Sequence, residues 1–181
     1  GRHIMSYYKG KGKSGRKRMK TVYPKQGKRS QQPSYYYSGD GWGKIKPLLE
    51  KGADVVIMTL GGNGIAKAKE MIKKVKKTNK SSAPVYIWIG PPPPAKDGNI
   101  YKYDEPVYYS LEKKEVPRHI QRKGYADFLQ REISGDVTHY INPHSVSGFS
   151  DSYSCGGSCD GVHVPNKIAK TLLINAGIIE K

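Results

Sequence analysis

The chain has 181 residues, of which 36% are hydrophobic, and its formal net charge is +17. This length fits one ordinary domain, and the mean hydropathy of -0.70 predicts a modest core beneath a very polar surface. No apolar run approaches the roughly 20 residues that a membrane-spanning helix needs. The basic N-terminus has no apolar stretch behind it, so we expect neither a signal peptide nor a membrane span.

The positive charge is concentrated in two stretches. No acidic residue precedes Asp40, whereas eleven basic residues do: Arg2, Lys9, Lys11, Lys13, Arg16, Lys17, Arg18, Lys20, Lys25, Lys28 and Arg29. A second basic run covers Lys67 to Lys80. Such a field attracts polyanions, although a solvated surface explains it equally well. We expect polyanion binding through a basic N-terminal segment, residues 1–33, whose composition is typical of partial disorder. Residues 34–181 are predicted to form one α/β domain.

The first third of the chain carries weak signals for secondary structure. Ile4 to Tyr8 and Ser34 to Tyr37 are predicted strands, and Thr21 to Tyr23 is a weaker one. Trp42 to Lys51 reads as a short amphipathic helix.

Clearer signals alternate between strands and helices over the rest of the chain. Unbroken apolar runs predict buried strands at Asp54 to Leu60, Pro84 to Ile89 and Val137 to Ile141. Helical periodicity predicts helices over Ile65 to Lys77, Val116 to Ile133, with Pro117 in its first turn, and Pro165 to Asn175. Residues 95–115 and 142–162 are predicted connections. This order indicates α/β architecture with a parallel sheet, whose ligands bind at the carboxyl ends of the strands. Asn63, Gly90 and the loop that carries Asp160 and His163 follow three such strands.

The two cysteines, Cys155 and Cys159, lie in one Ser/Gly-rich loop. Their spacing is compatible with a local disulfide, with free thiols, or with half of a metal site. Because no second Cys or His pair at zinc spacing completes such a site, we expect no metal. A disulfide would favour an extracellular or virion setting, and reduced thiols would favour the cytoplasm.

Asp160 and His163 form the sharpest candidate for chemistry. A carboxylate three residues before a histidine can hold an imidazole as a general base. An ordinary turn before a helix explains the same pattern. Asn63, after Gly61 and Gly62 at the end of a predicted strand, can donate its amide to an oxyanion, cap a helix, or do both.

Three segments together resemble the SGNH, or GDSL-like, hydrolase superfamily. They are Val55 to Asn63, Ile87 to Pro92, and Asp160 to Val164, and the resemblance covers about residues 39–177. It implies a flavodoxin-like three-layer fold with a central parallel sheet. It also implies a serine nucleophile in a Gly-Asp-Ser block, an oxyanion hole that includes Asn63, and Asp160 and His163 as the other two members of the triad. Gly64 stands where the family has an Asp after this Asn.

The first family block is degenerate in this chain, and two registers compete. In the first, Gly12-Lys13-Ser14 replaces Gly-Asp-Ser, so that Ser14 is the nucleophile and Gly39 is an oxyanion donor. The strand Ile4 to Tyr8 would then lead through a crossover to a parallel neighbour at Ser34 to Tyr37. In the second register, Gly27 replaces Gly39 and the chain contains no nucleophilic serine in this block.

The resemblance implies a serine esterase that hydrolyses O-acyl esters and needs no cofactor. The basic surface suits an O-acetylated acidic glycan or cell-wall polymer as substrate. The alternative is a catalytically inactive member of the fold that serves as a binding or structural protein, for example in a virion.

Overall fold

The computed structural model describes residues 5–11, 17–22, 32–164 and 166–178. The helices are α1 (Pro33–Ser38), α2 (Asp40–Glu50), α3 (Ala68–Thr78), α4 (Arg118–Ile133) and α5 (Asn166–Asn175). The strands are β1 (Met5–Lys11), β2 (Lys17–Val22), β3 (Val55–Met58), β4 (Val85–Ile89), β5 (Pro106–Tyr109), β6 (Lys114–Pro117) and β7 (His139–Ile141). The chain is therefore a mixed helix and strand protein, consistent with the α/β prediction.

The chain divides into two compact units. The first, the sheet unit, comprises Gly1–Ile89 and Leu129–Tyr140, and the second, the loop unit, comprises Gly90–Phe128 and Ile141–Lys181. The division of the sequence at residue 33 stays a prediction, although β1 and β2 pair in the same sheet as β3.

The main sheet has the strand order β2-β1-β3-β4-β7. Strands β3, β4 and β7 form a small parallel sheet, with Val56 of β3 opposite Tyr86 of β4. Strand β1 pairs antiparallel with both β2 and β3, and its Tyr7 lies opposite Val56. The predicted parallel crossover after the first strand is therefore wrong.

The predicted strand at Ser34 to Tyr37 is also wrong, because these residues belong to α1. Pro33 occupies the first turn of the helix, where its fixed φ suits a helical start and its missing N–H costs nothing. Tyr36 is fully buried, and its ring meets that of Tyr35 edge to face at a centroid distance of 5.1 Å. Tertiary packing of the tyrosines thus overrides their preference for strands.

The core of the sheet unit follows from the apolar runs of the sequence. Strands β3 and β4 bury Val56, Met58 and Trp88, and the indole N–H of Trp88 donates to the Leu60 carbonyl at 3.2 Å. Helix α3 presents Met71 and Ile72 to the same core, and α4 contributes its C-terminal turns. Helix α3 begins at Ala68 rather than at Ile65, because Lys67 has a left-handed backbone with φ of 67°.

The loop unit contains a hairpin that the sequence analysis left inside a connection. Strands β5 and β6 pair antiparallel, with Val107 opposite Val116. Val116 and Pro117 therefore belong to a strand, and helix α4 starts after them at Arg118. None of the helices in the described part of the chain is long and apolar enough to cross a membrane.

Candidate functional site

Asp160 and His163 meet through a local turn of the loop unit. Oδ1 of Asp160 accepts hydrogen bonds from the backbone N–H of Val162 at 3.0 Å and of His163 at 2.9 Å. Oδ2 lies in hydrogen-bond contact with Nδ1 of the His163 ring. The three-residue spacing therefore lets one carboxylate fix both the turn and the imidazole that the turn carries.

The environment of Asp160 favours its ionised form. Partial burial acts to raise the pKa of its carboxyl group, but the hydrogen bonds from the His163 ring and from the two backbone amides outweigh burial and lower that pKa. In the tautomer that carries its proton on Nδ1, the ring donates a hydrogen bond to the ionised Asp160 carboxylate, and the lone pair of the imidazole lies on Nε2. The side chains of His163 and Asp160 are 28% and 22% exposed, so the pair is accessible from solvent. This geometry suits a general base with a carboxylate orienter.

Segment 95–101 holds the backbone of this turn in place. The carbonyl of Asp160 accepts from Tyr101 N–H at 2.7 Å, and the carbonyl of Gly161 accepts from Ala95 N–H at 2.8 Å. The carbonyl of Cys159, the residue before Asp160, accepts from Asn99 N–H at 3.0 Å. These bonds join residues about sixty positions apart in sequence, so the turn that orients His163 depends on tertiary contacts.

The two segments approach so closely that glycine is required at the contact. Gly161 has φ of 104°, and a Cβ there would collide with the Tyr101 carbonyl. A Cβ on Gly98 would collide with the Cα of Gly161. The glycine of the Asp-Gly-Val-His sequence is therefore needed for both its backbone conformation and its close packing.

Asp97 anchors the disulfide loop that precedes the turn. Its carboxylate accepts from Ser154 Oγ at 2.7 Å, from Cys155 N–H at 3.0 Å and from Gly157 N–H at 3.2 Å. These hydrogen bonds lower the pKa of Asp97 to about 2, and the bond from the Cys155 amide has the largest effect. A disulfide joins Cys155 to Cys159 in the same loop. The prediction of a local disulfide is thus consistent with the structure.

Arg122 places a buried positive charge inside the loop unit. The residue is 3% exposed, and burial lowers the pKa of its guanidinium to about 10, so that it stays charged at neutral pH. The neighbouring charge of Arg118 lowers this pKa further, whereas Tyr153 and Asp160 act to raise it. Burying a charge is costly unless an opposite charge compensates it. The Asp160 carboxylate is one of the groups that offset part of the cost of burying this charge.

Sequence reasoning missed both Asp97 and Arg122. Asp97 lies between a proline run and Gly98, which indicates a turn but does not identify the amides that the carboxylate binds. Arg122 lies in a helix of mixed composition, where an arginine is ordinarily exposed. Nothing in their local sequence sets either residue apart.

His144 lies in a second polar cluster of the loop unit. Its backbone N–H donates to Asn142 Oδ1 at 3.1 Å, and the Asn142 amide donates to Asp127 at 2.8 Å. Burial lowers the pKa of the His144 ring, so the ring is neutral at physiological pH. These hydrogen bonds hold a short 3-10 turn, Pro143–Ser145, which follows β7. They explain His144 as a structural residue.

Two other predicted site residues, Asn63 and Gly39, belong to the sheet unit. Asn63 is exposed in a turn closed by Gly64 N–H on the Gly61 carbonyl at 3.3 Å, and its own carbonyl accepts from Gln32 Nε2 at 3.0 Å. The N–H of Gly39 donates to the Tyr35 carbonyl at 3.2 Å, so that binding an oxyanion there requires exchange of this bond.

The predicted nucleophile and one alternative donor fall outside the described residues. Ser14 belongs to the segment 12–16 between β1 and β2, and Gly27 belongs to the segment 23–31. The structure thus brings together Asp160 and His163 of the predicted set. Among the residues that the structure describes, no group of three or more His, Cys, Asp or Glu side chains is arranged to hold a metal ion.

Comparisons of the chain with protein-family models, with curated proteins and with solved structures found no match.

Proposed function

We propose that the chain is an SGNH-type serine esterase that hydrolyses O-acyl esters, with Asp160 and His163 as its acid–base pair. The observation that carries this proposal is the hydrogen-bonded contact of Asp160 Oδ2 with His163 Nδ1, on a turn that two backbone amides lock. A histidine in this arrangement can take a proton at Nε2 while the carboxylate stabilises the resulting imidazolium. The resemblance to SGNH hydrolases supplies the reaction class.

In the proposed reaction, the hydroxyl oxygen of Ser14 attacks the ester carbonyl and His163 Nε2 takes the hydroxyl proton. His163 then gives this proton to the departing alcohol, and an acyl-serine forms. Water then attacks the acyl-serine through the same proton transfers, and the acid is released. The backbone N–H of Gly39 and the amide of Asn63 are the oxyanion donors that the resemblance implies, with Gly27 as the alternative to Gly39.

The fold that accompanies this proposal is a flavodoxin-like arrangement of three layers. The parallel strands β3, β4 and β7, joined by helical connections, support it. The antiparallel pairing of β1 departs from an all-parallel sheet. In the first register, Ser14 follows β1 in sequence, and this strand pairs antiparallel with both β2 and β3.

The proposed substrate is an O-acetyl ester on an acidic glycan or cell-wall polymer. The net charge of +17 supports a polyanionic substrate through electrostatic attraction. The Cys155–Cys159 disulfide supports an extracellular or virion setting, because such bonds persist in oxidising surroundings.

An inactive SGNH-like binding or structural protein is the second candidate. The absence of a Gly-Asp-Ser sequence and the antiparallel β1 favour it. A serine-directed phosphonate probe separates the two functions, because it labels the esterase and leaves the inactive protein unmodified.

Hydrolysis of p-nitrophenyl acetate tests the esterase proposal with four proteins: the unchanged chain and the variants His163→Ala, Ser14→Ala and His139→Ala. Loss of a general base typically lowers the rate by about 10²- to 10⁴-fold, which we expect for His163→Ala. Ser14→Ala should lose activity to at least the same extent. His139→Ala, which changes an exposed histidine on β7, is the matched control and should keep full activity.

Each contrary result has a specific meaning. Full activity in His163→Ala would overturn the assignment of the base. Activity that survives Ser14→Ala but not His163→Ala would place the nucleophile elsewhere. If the unchanged chain shows neither hydrolysis nor phosphonate labelling, the inactive alternative replaces the esterase.

A further inference from the structure

Helix α3 of the sheet unit carries a continuous stripe of lysines. Lys69, Lys73 and Lys77 are all exposed. At 3.6 residues per turn, the three positions fall within roughly 80° of the helix circumference. The next lysine, Lys80, follows two residues after the helix ends and is exposed as well.

The opposite side of the same helix is fixed in the core. Ala68, Met71, Ile72 and Val75 are all buried, with exposures of 4% or less. Their burial holds the helix in one rotation about its axis, so that the lysine stripe always faces outward. The stripe is therefore a rigid surface and not merely a basic composition.

The single acidic residue of α3 does not cancel the stripe. Glu70 pairs with Lys67 at 2.9 Å, and this pairing lowers the pKa of the carboxyl group. Lys67, outside the stripe, is thus the main partner of Glu70, and the charge of Lys73 also acts on this carboxyl group. Two lysines of the helix are taken up elsewhere. The Lys74 ammonium donates to the Tyr37 carbonyl at 2.6 Å and lies 4.0 Å from the centre of the Trp42 ring, and the Lys76 ammonium donates to the Asp136 carbonyl at 2.9 Å.

We propose that this stripe, Lys69, Lys73 and Lys77, is a binding surface for the phosphate backbone of duplex nucleic acid. Lys69 and Lys77 are two turns apart, which corresponds to about 12 Å along the helix axis. One strand of a duplex presents a phosphate about every 3.4 Å along its axis, so the stripe spans roughly three to four phosphates. Lysines act as point charges on phosphate and carry no base readout, so the binding is independent of sequence.

Two features favour a duplex over other polyanions. Single-stranded nucleic acid is ordinarily held by aromatic side chains on which the bases stack. The stripe itself contains no aromatic residue, and the nearby rings of Tyr37 and Trp42 are covered by Lys74. A straight row of cations matches a straight, regularly charged rod better than it matches a flexible acidic glycan.

The test is a binding titration of a short fluorescent DNA duplex, followed by anisotropy over a series of salt concentrations. The variant Lys69→Gln/Lys73→Gln/Lys77→Gln removes three charges while keeping good helix-forming residues. Each phosphate contact contributes about 0.9 to the slope of log affinity against log salt. We expect the slope to fall by roughly 2 to 3 and the affinity near physiological salt to fall by on the order of 10- to 100-fold.

The matched control removes the same charge from the loop unit. Lys96→Gln/Lys113→Gln/Lys114→Gln changes three exposed lysines and should leave the slope within about one contact of its original value. The single variant Lys73→Gln, with an expected slope change of about 0.9, provides the same test with the least disturbance of the helix.

Three results would overturn the proposal. Equal losses in the stripe and control variants would show that net charge alone binds the duplex. Tighter binding of the corresponding single strand, or of a sulfated glycan at the same charge concentration, would assign the stripe to that polyanion instead. None of these results depends on whether the chain hydrolyses esters.

Discussion

The two units of the molecule bury different kinds of side chain. In the part of the chain that the structure describes, the twelve largest fully buried side chains all lie in the sheet unit, from Tyr36 to Ile133. The buried polar and charged residues, Gln121, Arg122, Asn142 and His144, all lie in the loop unit. The sheet unit is thus held mainly by apolar packing. The loop unit combines apolar packing, as at Tyr125, Phe149 and Leu172, with buried polar groups, a buried charge and a disulfide.

The two kinds of contact contribute differently to the fold. Apolar packing is non-directional and supplies most of the free energy of folding. Hydrogen bonds add less net free energy, but they fix distances and directions. The Asp160–His163 pair, which we propose transfers protons, lies in the unit that contains the buried polar residues.

The largest expected effect comes from removing core volume in the sheet unit. Ile72→Ala empties space around a fully buried side chain, and such changes cost about 2–5 kcal/mol of unfolding free energy. Tryptophan fluorescence during urea unfolding measures this loss of unfolding free energy, because both tryptophans, Trp42 and Trp88, lie in the sheet unit.

Ile120→Ala is the control for this experiment. Ile120 belongs to the loop unit and is 43% exposed, so its truncation should change stability by no more than about 0.5 kcal/mol. Equal costs for the two variants would contradict the burial of Ile72 in the apolar core of the sheet unit.

An intermediate effect is expected at the close backbone contact of the loop unit. Gly161→Ala adds a Cβ that collides with the Tyr101 carbonyl and strains a backbone with φ of 104°. Strain of this kind costs about 1–3 kcal/mol. Hydrogen exchange should show faster exchange of the Ala95 and Tyr101 amides, whose acceptors are the carbonyls of Gly161 and Asp160.

Gly156→Ala separates the effect of backbone strain from the effect of the Cβ collision. Gly156 also has a left-handed backbone, with φ of 62°, but no atom lies near the position of its Cβ. It should suffer the conformational strain without the collision. If both variants accelerate exchange at Ala95 and Tyr101 equally, close packing at Gly161 is not what holds the turn.

The smallest effect is a dependence on pH at Asp97. Its folded-state pKa of about 2 lies below the ordinary value of 3.8, so the protonated form is disfavoured by folding. The stabilisation is therefore complete above about pH 4 and is lost as the pH falls towards 2. We expect NMR chemical shifts of the Cys155 and Gly157 amides, which donate to this carboxylate, to titrate near pH 2. Asp97→Asn should abolish this titration, and a midpoint near 3.8 would contradict the proposed set of hydrogen bonds.

The secondary structure that sequence predicted best is the part with the strongest local signal. Strands β3 and β4 and helices α2 and α3 were predicted from apolar runs and helical periodicity, and the structure confirms their type. Their ends differ by a few residues where a local conformation intervenes, as at Lys67.

Elements were predicted wrongly where packing or pairing decides. The tyrosines of α1 favour strands by composition, but a helix places Tyr36 in the core. The tyrosine-rich segment 95–115 shows no clear alternation, and the β5–β6 hairpin depends on pairing between its two strands.

Features that depend on neighbouring residues could be predicted without a structure: the buried strands, the basic stripe of α3 and the three-residue spacing between Asp160 and His163. The antiparallel direction of β1, the burial of Arg122 and the attachment of Asp97 to the disulfide loop could not be predicted in this way. The physical reason is the range of the interactions. Periodicity and local turns are encoded within a few residues, whereas these features depend on hydrogen bonds and burial between segments that are tens of residues apart.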